Sequence, residues 1–513
     1  MEFPLFYQKK IVLTLLVASC GAFPGFRANG ERINQEGRIL GPAPAVTNSI
    51  LFNTPEADAI VSAMQIFPPD NPWNEDISRR PALTNSDAMI QQIMSDLLST
   101  RRALRAFYEM NFVLVPDDQP LVPVNFFNYP DESDPSPYPI PLNLPIETWP
   151  HETGLLTLQQ WQQDINNDGG DRHAVIVQPG NGSIWETWET KIVGTNWEAS
   201  NGAKFDLNSD GLRPAAWTSG DAAGLPMFPA LVRYDECERG RVEHALRLVV
   251  KHTRAEFIYP ARHYASVPYA TNANVPAMGQ RLRLKSSFVI PDNWTVQEKA
   301  VLRAFKKYGA LVADNGNFFS VSVTPDGRWP GGAFDHLSTI SITNFEVIQT
   351  TGPTEGPRSP GAPVAKAGPD RTLPFGTTAN LQGYVDFANP RPLIHWKLYS
   401  GPGTVSLADS TKTNTTAGFS APGLYTLLLS ADDGVHAVAY DAVVVSIIPS
   451  VILRIAHSGQ NVQIDWSGGN PPFTLESTDA LPTAQWSTVL TTNSSGVLLP
   501  IAGSAVFYRV VGR

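Results

Sequence analysis

Residues 218–264 carry Asp221, Asp235, Glu236, His244, Arg247, Arg262 and His263 between apolar runs able to hold them rigidly. Hydrolysis of a glycosidic bond needs two carboxyl groups, about 5 Å apart for retention or ~6.5–9.5 Å apart for inversion. The acid and base pool is Asp221, Glu236 and Asp314: Asp221 follows Gly220 in a tight loop, Glu236 lies between a strand and the Arg239-Gly240 turn, and Asp314 follows the apolar run 310–313. A solvated turn is the usual fate of Asp beside Gly, and that alternative stands for each. His173, His244 and His263 suit proton shuttling, with His244 and His263 assisting the carboxylates and His173 on the substrate side; each has the alternative of a satisfied core ring. No H-x-H or HExxH spacing occurs, so zinc is not expected.

Arg247, Arg262 and Arg281 have the planar fork that grips carboxylates or sulfates, with internal salt bridging as the rival role. In a polysaccharide lyase Arg247 or Arg262 would neutralise a uronate and His244 or Tyr264 would take the proton. Trp185 and Trp188, with Trp197, Trp217 and Trp329, offer faces for sugar rings, although most large aromatics serve the core. Asp164, Asn166 and Asp168 fit the D-x-N-x-D-G opening of a calcium loop, as do Asp206, Asn208 and Asp210, but Val175 and Trp217 stand where such loops place Glu. A structural calcium at the first loop, helped by Asp171, competes with a plain Asx-rich turn; no cofactor is otherwise required.

The elements that must position these groups read mainly as strands. Residues 174–178, 183–190, 242–250, 281–290 and 318–323 are rich in β-branched or aromatic types and bounded by Gly, Asn and Pro. Alternation along 242–250 puts His244, Leu246 and Leu248 on one face and Glu243, Ala245, Arg247 and Val249 on the other, so His244 and Arg247 cannot share a cleft without a bulge. Two helices are expected. One is capped by Asn85 or Ser86 and buries Met89, Ile90, Ile93, Met94, Leu97 and Leu98; the other opens with the capping box Thr295/Glu298 and stops at Gly309.

The whole chain, 513 residues with a net charge of −10 and a pI of about 5.4, has no basic stripe, so nucleic acid is not an expected partner. Lys9 and Lys10, the apolar run 11–17 and the small residues after it order as a secretory signal over 1–22. Val17-Ala18-Ser19-Cys20 also fits a lipobox that would anchor Cys20 to lipid. No later run is long enough to cross a bilayer. With Cys20 and Cys237 as the two cysteines, no disulfide is expected, and Cys237 reads as a small buried strand residue rather than a nucleophile. The organisation is then signal 1–22, linker 23–48, candidate catalytic domain 49–350, Gly/Pro spacer 351–362, a domain at 363–447 and a last β unit at 451–513. The fold class is mainly β with some α: an α+β domain on antiparallel sheet, with a sandwich or jelly roll as candidate arrangement, then two small β-sandwich domains.

Leu381-Gln382-Gly383, Ile394-His395-Trp396, Gly423-Leu424-Tyr425 and Ala431-Asp432-Asp433-Gly434 make residues 363–447 resemble a PKD-type immunoglobulin-like domain, which implies a spacer or binding module of an extracellular protein. Val462-Gln463-Ile464-Asp465-Trp466 and Phe507-Tyr508-Arg509-Val510 resemble C-terminal β-sandwich modules of secreted proteins from Verrucomicrobia-like bacteria. Gly170-Asp171-Arg172-His173, Asp221-Ala222-Ala223-Gly224, His244-Ala245-Leu246-Arg247 and Pro260-Ala261-Arg262-His263 make residues 40–350 resemble a secreted domain of bacteria and fungi from glycan-rich settings, a resemblance that implies no catalytic assignment. The functional expectation is a secreted or cell-surface glycoside hydrolase. The alternatives are a lyase on a uronic-acid polymer and a glycan-binding or adhesion protein without turnover.

Overall fold

The computed structural model describes residues 32–265, 272–388, 392–469, 471–481, 485–501 and 506–511. The signal segment and Cys20 lie outside them. Among the described residues no helix is long and apolar enough to cross a membrane. The chain is mostly β and divides into two compact units, residues 32–362 with 434–438, and 363–433 with 439–513.

The first unit is built on a six-stranded sheet in the order Phe345–Val347, Arg281–Leu284, Ala310–Asn315, Leu246–Val250, Phe319–Val323, Leu104–Tyr108. It is mixed rather than antiparallel, because Leu246–Val250 runs parallel to Ala310–Asn315 and Leu104–Tyr108 parallel to Phe319–Val323. Parallel neighbours need a long crossover. The crossover from Val250 to Ala310 holds the helix Val296–Lys307, whose capping box joins Thr295 and Glu298 and whose Ala300, Val301, Ala304 and Phe305 are buried. A second sheet orders Ile50–Leu51, Val113–Leu114, Ala174–Gln178, Ser183–Trp188 and Asn201–Asp206. Both its faces are covered: Val175 and Val177 join a core with Leu246, Leu248 and Val312, while Ala174 and Ile176 join Tyr138, Trp197 and Ile140.

Several expected boundaries move. The strand expected over 242–250 begins at Leu246, and that expected over 281–290 ends at Leu284. Glu236 and Cys237 sit on a short helix, Tyr234–Glu238, not beside or on a strand. Burial beside Glu236 raises the Cys237 thiol well above its ordinary value, so it stays protonated. The helix Ser86–Asp96 buries Met89, Ile90 and Ile93, but Leu98 lies beyond its end and is exposed, and Ser86 caps the strand residue Val347 instead of the helix.

Part of the expected linker, residues 32–40, is docked. Asn34 donates to Glu243 at 2.9 Å, Arg38 pairs with the same carboxylate at 2.9 Å, and Glu36 pairs with Lys307. The 351–362 spacer is docked as well: Arg358 holds Glu75 at 3.0 Å and the Asp70 carbonyl at 2.8 Å. A segment poor in apolar residues adheres through ion pairs, which hydropathy does not register.

The second unit holds two small cores. One is a sandwich of a four-stranded sheet (Arg371–Pro374, Ala439–Ile448, Gly423–Asp432, Leu393–Ser400) and a three-stranded sheet (Ala379–Gln382, Asn414–Phe419, Val405–Leu407). Trp396, Tyr425, Leu427, Leu429 and Val443 are buried between them, and the Trp396 indole donates to the Lys412 carbonyl at 3.0 Å. This is an immunoglobulin-like arrangement over the PKD-type residues. The other pairs two three-stranded sheets around Ile464, Trp466, Phe473, Leu475 and Val510.

Candidate active site

Four neighbouring strands of the six-stranded sheet bring a row of polar groups together: Asp314, Arg247, Ser322 and, one residue past its strand, Glu109. Alternation explains two of them. Leu246, Leu248 and Val250 turn into the core, so Arg247 faces the other way; Ser322 likewise alternates with the core residues Val321 and Val323. Asp314 needs a further device. The pairing of Leu246–Val250 with Ala310–Asn315 slips at Ala313, so that Leu248 faces Val312 but Val249 faces Asp314. Without this bulge Asp314 would share Val312's face; with it, the carboxylate shares Arg247's. The Ala313 carbonyl accepts from Ala223, which ties the bulge to the loop carrying Asp221.

Arg247 is the hub. Its Nε donates to both Asp221 oxygens at 2.9 Å, Nη2 donates to Asp221 at 2.6 Å and Asp314 at 2.9 Å, and Nη1 donates to Ser322 Oγ at 3.0 Å and approaches Glu109 at 3.5 Å. Four of the five guanidinium N–H groups thus have a hydrogen-bond partner, and Glu109 stands at ion-pair distance from Nη1. The partners differ in access: the Asp221 side chain is 1% exposed, whereas Asp314 and Glu109 are 23% and 22% exposed. Burial pushes Glu109 up to about 7 against the pull of Arg247. Burial, with the Asp221 charge adding to it, pushes Asp314 up to about 6. Two carboxyl groups that titrate near neutrality and reach solvent thus stand at the two ends of one guanidinium. They meet different Nη atoms of it, Glu109 at 3.5 Å from Nη1 and Asp314 at 2.9 Å from Nη2.

Behind them lies an ion pair. His173 Nδ1 meets Glu147 at 2.8 Å and His173 Nε2 meets the Gly220 carbonyl at 2.8 Å, next to Asp221. Although burial opposes it, Glu147 raises His173 to about 10, and His173 in turn holds Glu147 below the ordinary carboxylate range. The imidazole is therefore an imidazolium whose second N–H donates to Gly220. Both partners sit beside strained backbone: Thr148 has φ +65° and Arg172 φ +44°. Left-handed geometry is costly for a β-branched residue and concentrates at functional positions. Thr148 is held there by its N–H to the Glu109 carbonyl at 2.7 Å, so the loop bearing Glu147 is stitched to the end of the strand bearing Glu109. The neighbouring Tyr108 ring stacks on His151 at 5.5 Å.

The other candidate residues are placed elsewhere. Glu236 and His244 form a separate buried pair, 3.0 Å apart, with Arg233 at 2.8 Å from Glu236. Burial notwithstanding, Arg233 and His244 hold Glu236 down to about 2, too acidic to carry a proton near neutrality. His263 Nδ1 contacts the Ala222 carbonyl at 2.7 Å and Arg262 donates to the Arg213 carbonyl at 2.8 Å, which makes both scaffolding for the Asp221 loop. Arg281 belongs to another buried cluster, donating to the Pro72 carbonyl near Glu75, and burial lowers it to about 10. Trp185 packs on Tyr138 at 4.7 Å, donates to Gln178 and lies partly buried against the core under Lys204; Trp188 lies half-buried beside Tyr129 at 6.1 Å. Asp164 accepts from the N–H groups of Asp168 and Gly169 and lies 3.6 Å from Arg172, while Asn166 and Asp168 point outward as in an Asx turn. Among the described residues no cluster of three or more His, Cys, Asp or Glu could hold a metal.

Glu109, Glu147 and Ser322 were not expected. Glu109 did carry a signal, since it is a lone charge in the apolar run 106–115. Glu186, a lone charge between Trp185 and Trp188, is a buried parallel: it accepts from the N–H groups of Met227 and Phe228, and burial pushes it up to about 7. Nothing near Glu147 distinguishes it.

No family model matches the chain, and no curated protein matches it. Among solved structures it is similar to the PKD domain from the KIAA 1837 protein (21% identity over 22% of this chain and 100% of that one, TM-score 0.15). It is also similar to Sidekick-1 immunoglobulin domains 1–4 (14% identity over 40% and 54%, TM-score 0.20), so the chain spans about half of that structure. A third is a nucleoside hydrolase-related hypothetical protein from Saccharophagus degradans that is associated with carbohydrate metabolism (15% identity over 34% and 41%, TM-score 0.16). Scores this low imply no shared activity, and the site must be read from its own geometry.

Proposed function

We propose that the unit of residues 32–362 is the catalytic part of a secreted or cell-surface glycoside hydrolase, with Glu109 as general acid and Asp314 as its carboxylate partner. One observation carries this: two solvent-reaching carboxyl groups, pushed up to about 7 and about 6, flank a single buried guanidinium. The group raised further retains its proton to the higher pH and can give it to a leaving oxygen, while the other ionises first and can take a proton from water or act as nucleophile. Ser322, accepting from Arg247 and donating to Glu109, fixes which Glu109 oxygen is free to donate. Arg247 is a positioning residue, held by Asp221. This keeps Asp314 from the expected carboxylate pool and replaces Asp221 and Glu236 by Glu109.

The two β-sandwich modules favour a second reading, glycan binding or surface adhesion without turnover. The full chain, incubated with neutral, uronic and sulfated polysaccharides while new reducing ends are followed, separates the two. Release that vanishes in Glu109→Gln and Asp314→Asn supports hydrolysis. Retained release in both variants removes the assignment, and binding without release on the whole panel supports adhesion.

A further inference from the structure

The charges of the site bear on which glycans it admits. Asp314, Glu109, Glu147 and Asp221 supply four carboxylates, and the cations touching them are Arg247 and His173. Both cations are spent. Arg247 is 3% exposed with its Nε and both Nη atoms bonded to Asp221, Asp314 and Ser322, and His173 is 3% exposed between Glu147 and Gly220. Arg105 lies on Glu109's face of the Leu104–Tyr108 strand but four residues away, about 13 Å, beyond a Debye length at physiological salt. What meets solvent is the pair of carboxyl groups; the guanidinium of Arg262, on the far side of the Asp221 loop, donates through Nε to the Arg213 carbonyl.

Resting on the hydrolase reading, we propose that this site takes glycans free of carboxylate and sulfate groups, and that uronic and sulfated polymers are excluded by like-charge repulsion. A polymer anion would have to approach two carboxyl groups, and like charges brought together oppose binding. The sugar hydroxyls of a neutral chain instead donate to the same oxygens.

The test uses the full chain and matched polymers that differ only in charge: a methyl-esterified polyuronate with its saponified free acid, and a neutral glucan with its carboxymethylated form. Binding is followed by calorimetry and turnover by reducing ends, at low and at high salt. The expected result is that the uncharged member of a pair is bound or cleaved about tenfold better or more at low salt, with the gap narrowing as salt is added. A charged member handled equally well or better overturns the proposal, as does failure of every uncharged member both to bind and to react. Preferential binding of the uncharged members with no reducing ends from any polymer would instead sink the hydrolase reading and leave the charge selection standing.

Discussion

Removing Asp221 and removing Asp314 should have opposite consequences, although both carboxylates touch Arg247. In Asp221→Ala the guanidinium loses three short contacts while remaining about 3% exposed. Breaking a buried pair by truncating one partner costs about 3–5 kcal/mol. Asp314 and Glu109 stay on the Nη atoms, so the lower figure applies, and at roughly 1.5 °C per kcal/mol for a unit of this length the melting temperature should fall by about 4–5 °C. In Asp314→Asn the altered group is 23% exposed, keeps an amide oxygen for Nη2, and leaves Asp221 in place. Its stability cost should be under about 1 kcal/mol, as for other partly solvated pairs, while turnover falls by about 10²–10⁴. Calorimetric melting of both variants, with reducing-end release on the best substrate, measures the contrast. An Asp221→Ala protein melting within about 2 °C of wild type, or an Asp314→Asn protein as unstable as it, would show that Asp221 is not what holds Arg247 and would refute the division into structural and reacting carboxylates.

The rate should follow a narrow bell in pH: kcat/KM declines below about 6 as Asp314 takes a proton and above about 7 as Glu109 loses one, and a pH–rate profile without these limbs counts against the pair. Glu186 has a raised value when folded, so its contribution to stability is present below the ordinary 4.5 and is lost as pH rises towards about 7; Glu186→Gln should flatten that decline in a series of melting curves. Thr148→Gly should relieve the left-handed strain of about 1–3 kcal/mol at a chain-entropy cost of about 0.5–1 kcal/mol. Melting should therefore be unchanged or higher, and any rate loss would come from a looser Glu147. Trp396→Ala should cost the PKD-type sandwich about 3–5 kcal/mol, visible by calorimetry as a lowered transition for the second unit with reducing-end release unaffected.

Local chemistry was legible. The Thr295/Glu298 box, the buried face of Val296–Lys307, the strands around Trp396 and the mostly β character follow from residue types a few positions apart, because propensity, capping and alternation act at that range. His244 and Arg247 do fall in different clusters, but because His244 precedes the strand that starts at Leu246 and not through alternation along it. Only the tertiary structure decided which carboxylates matter. Arg247 joins Asp221, Asp314 and Glu109 from three other segments, and His173 finds Glu147 across 26 residues. Spacing along a chain records which face of its own element a side chain takes, not which element comes to lie opposite it. Nor does it record a one-residue slip such as that at Ala313, which turned Asp314 from one face to the other, or the burial that leaves Asp221 closed and Asp314 open to solvent. Those are set by long-range packing, where the energy of each contact depends on groups distant in sequence.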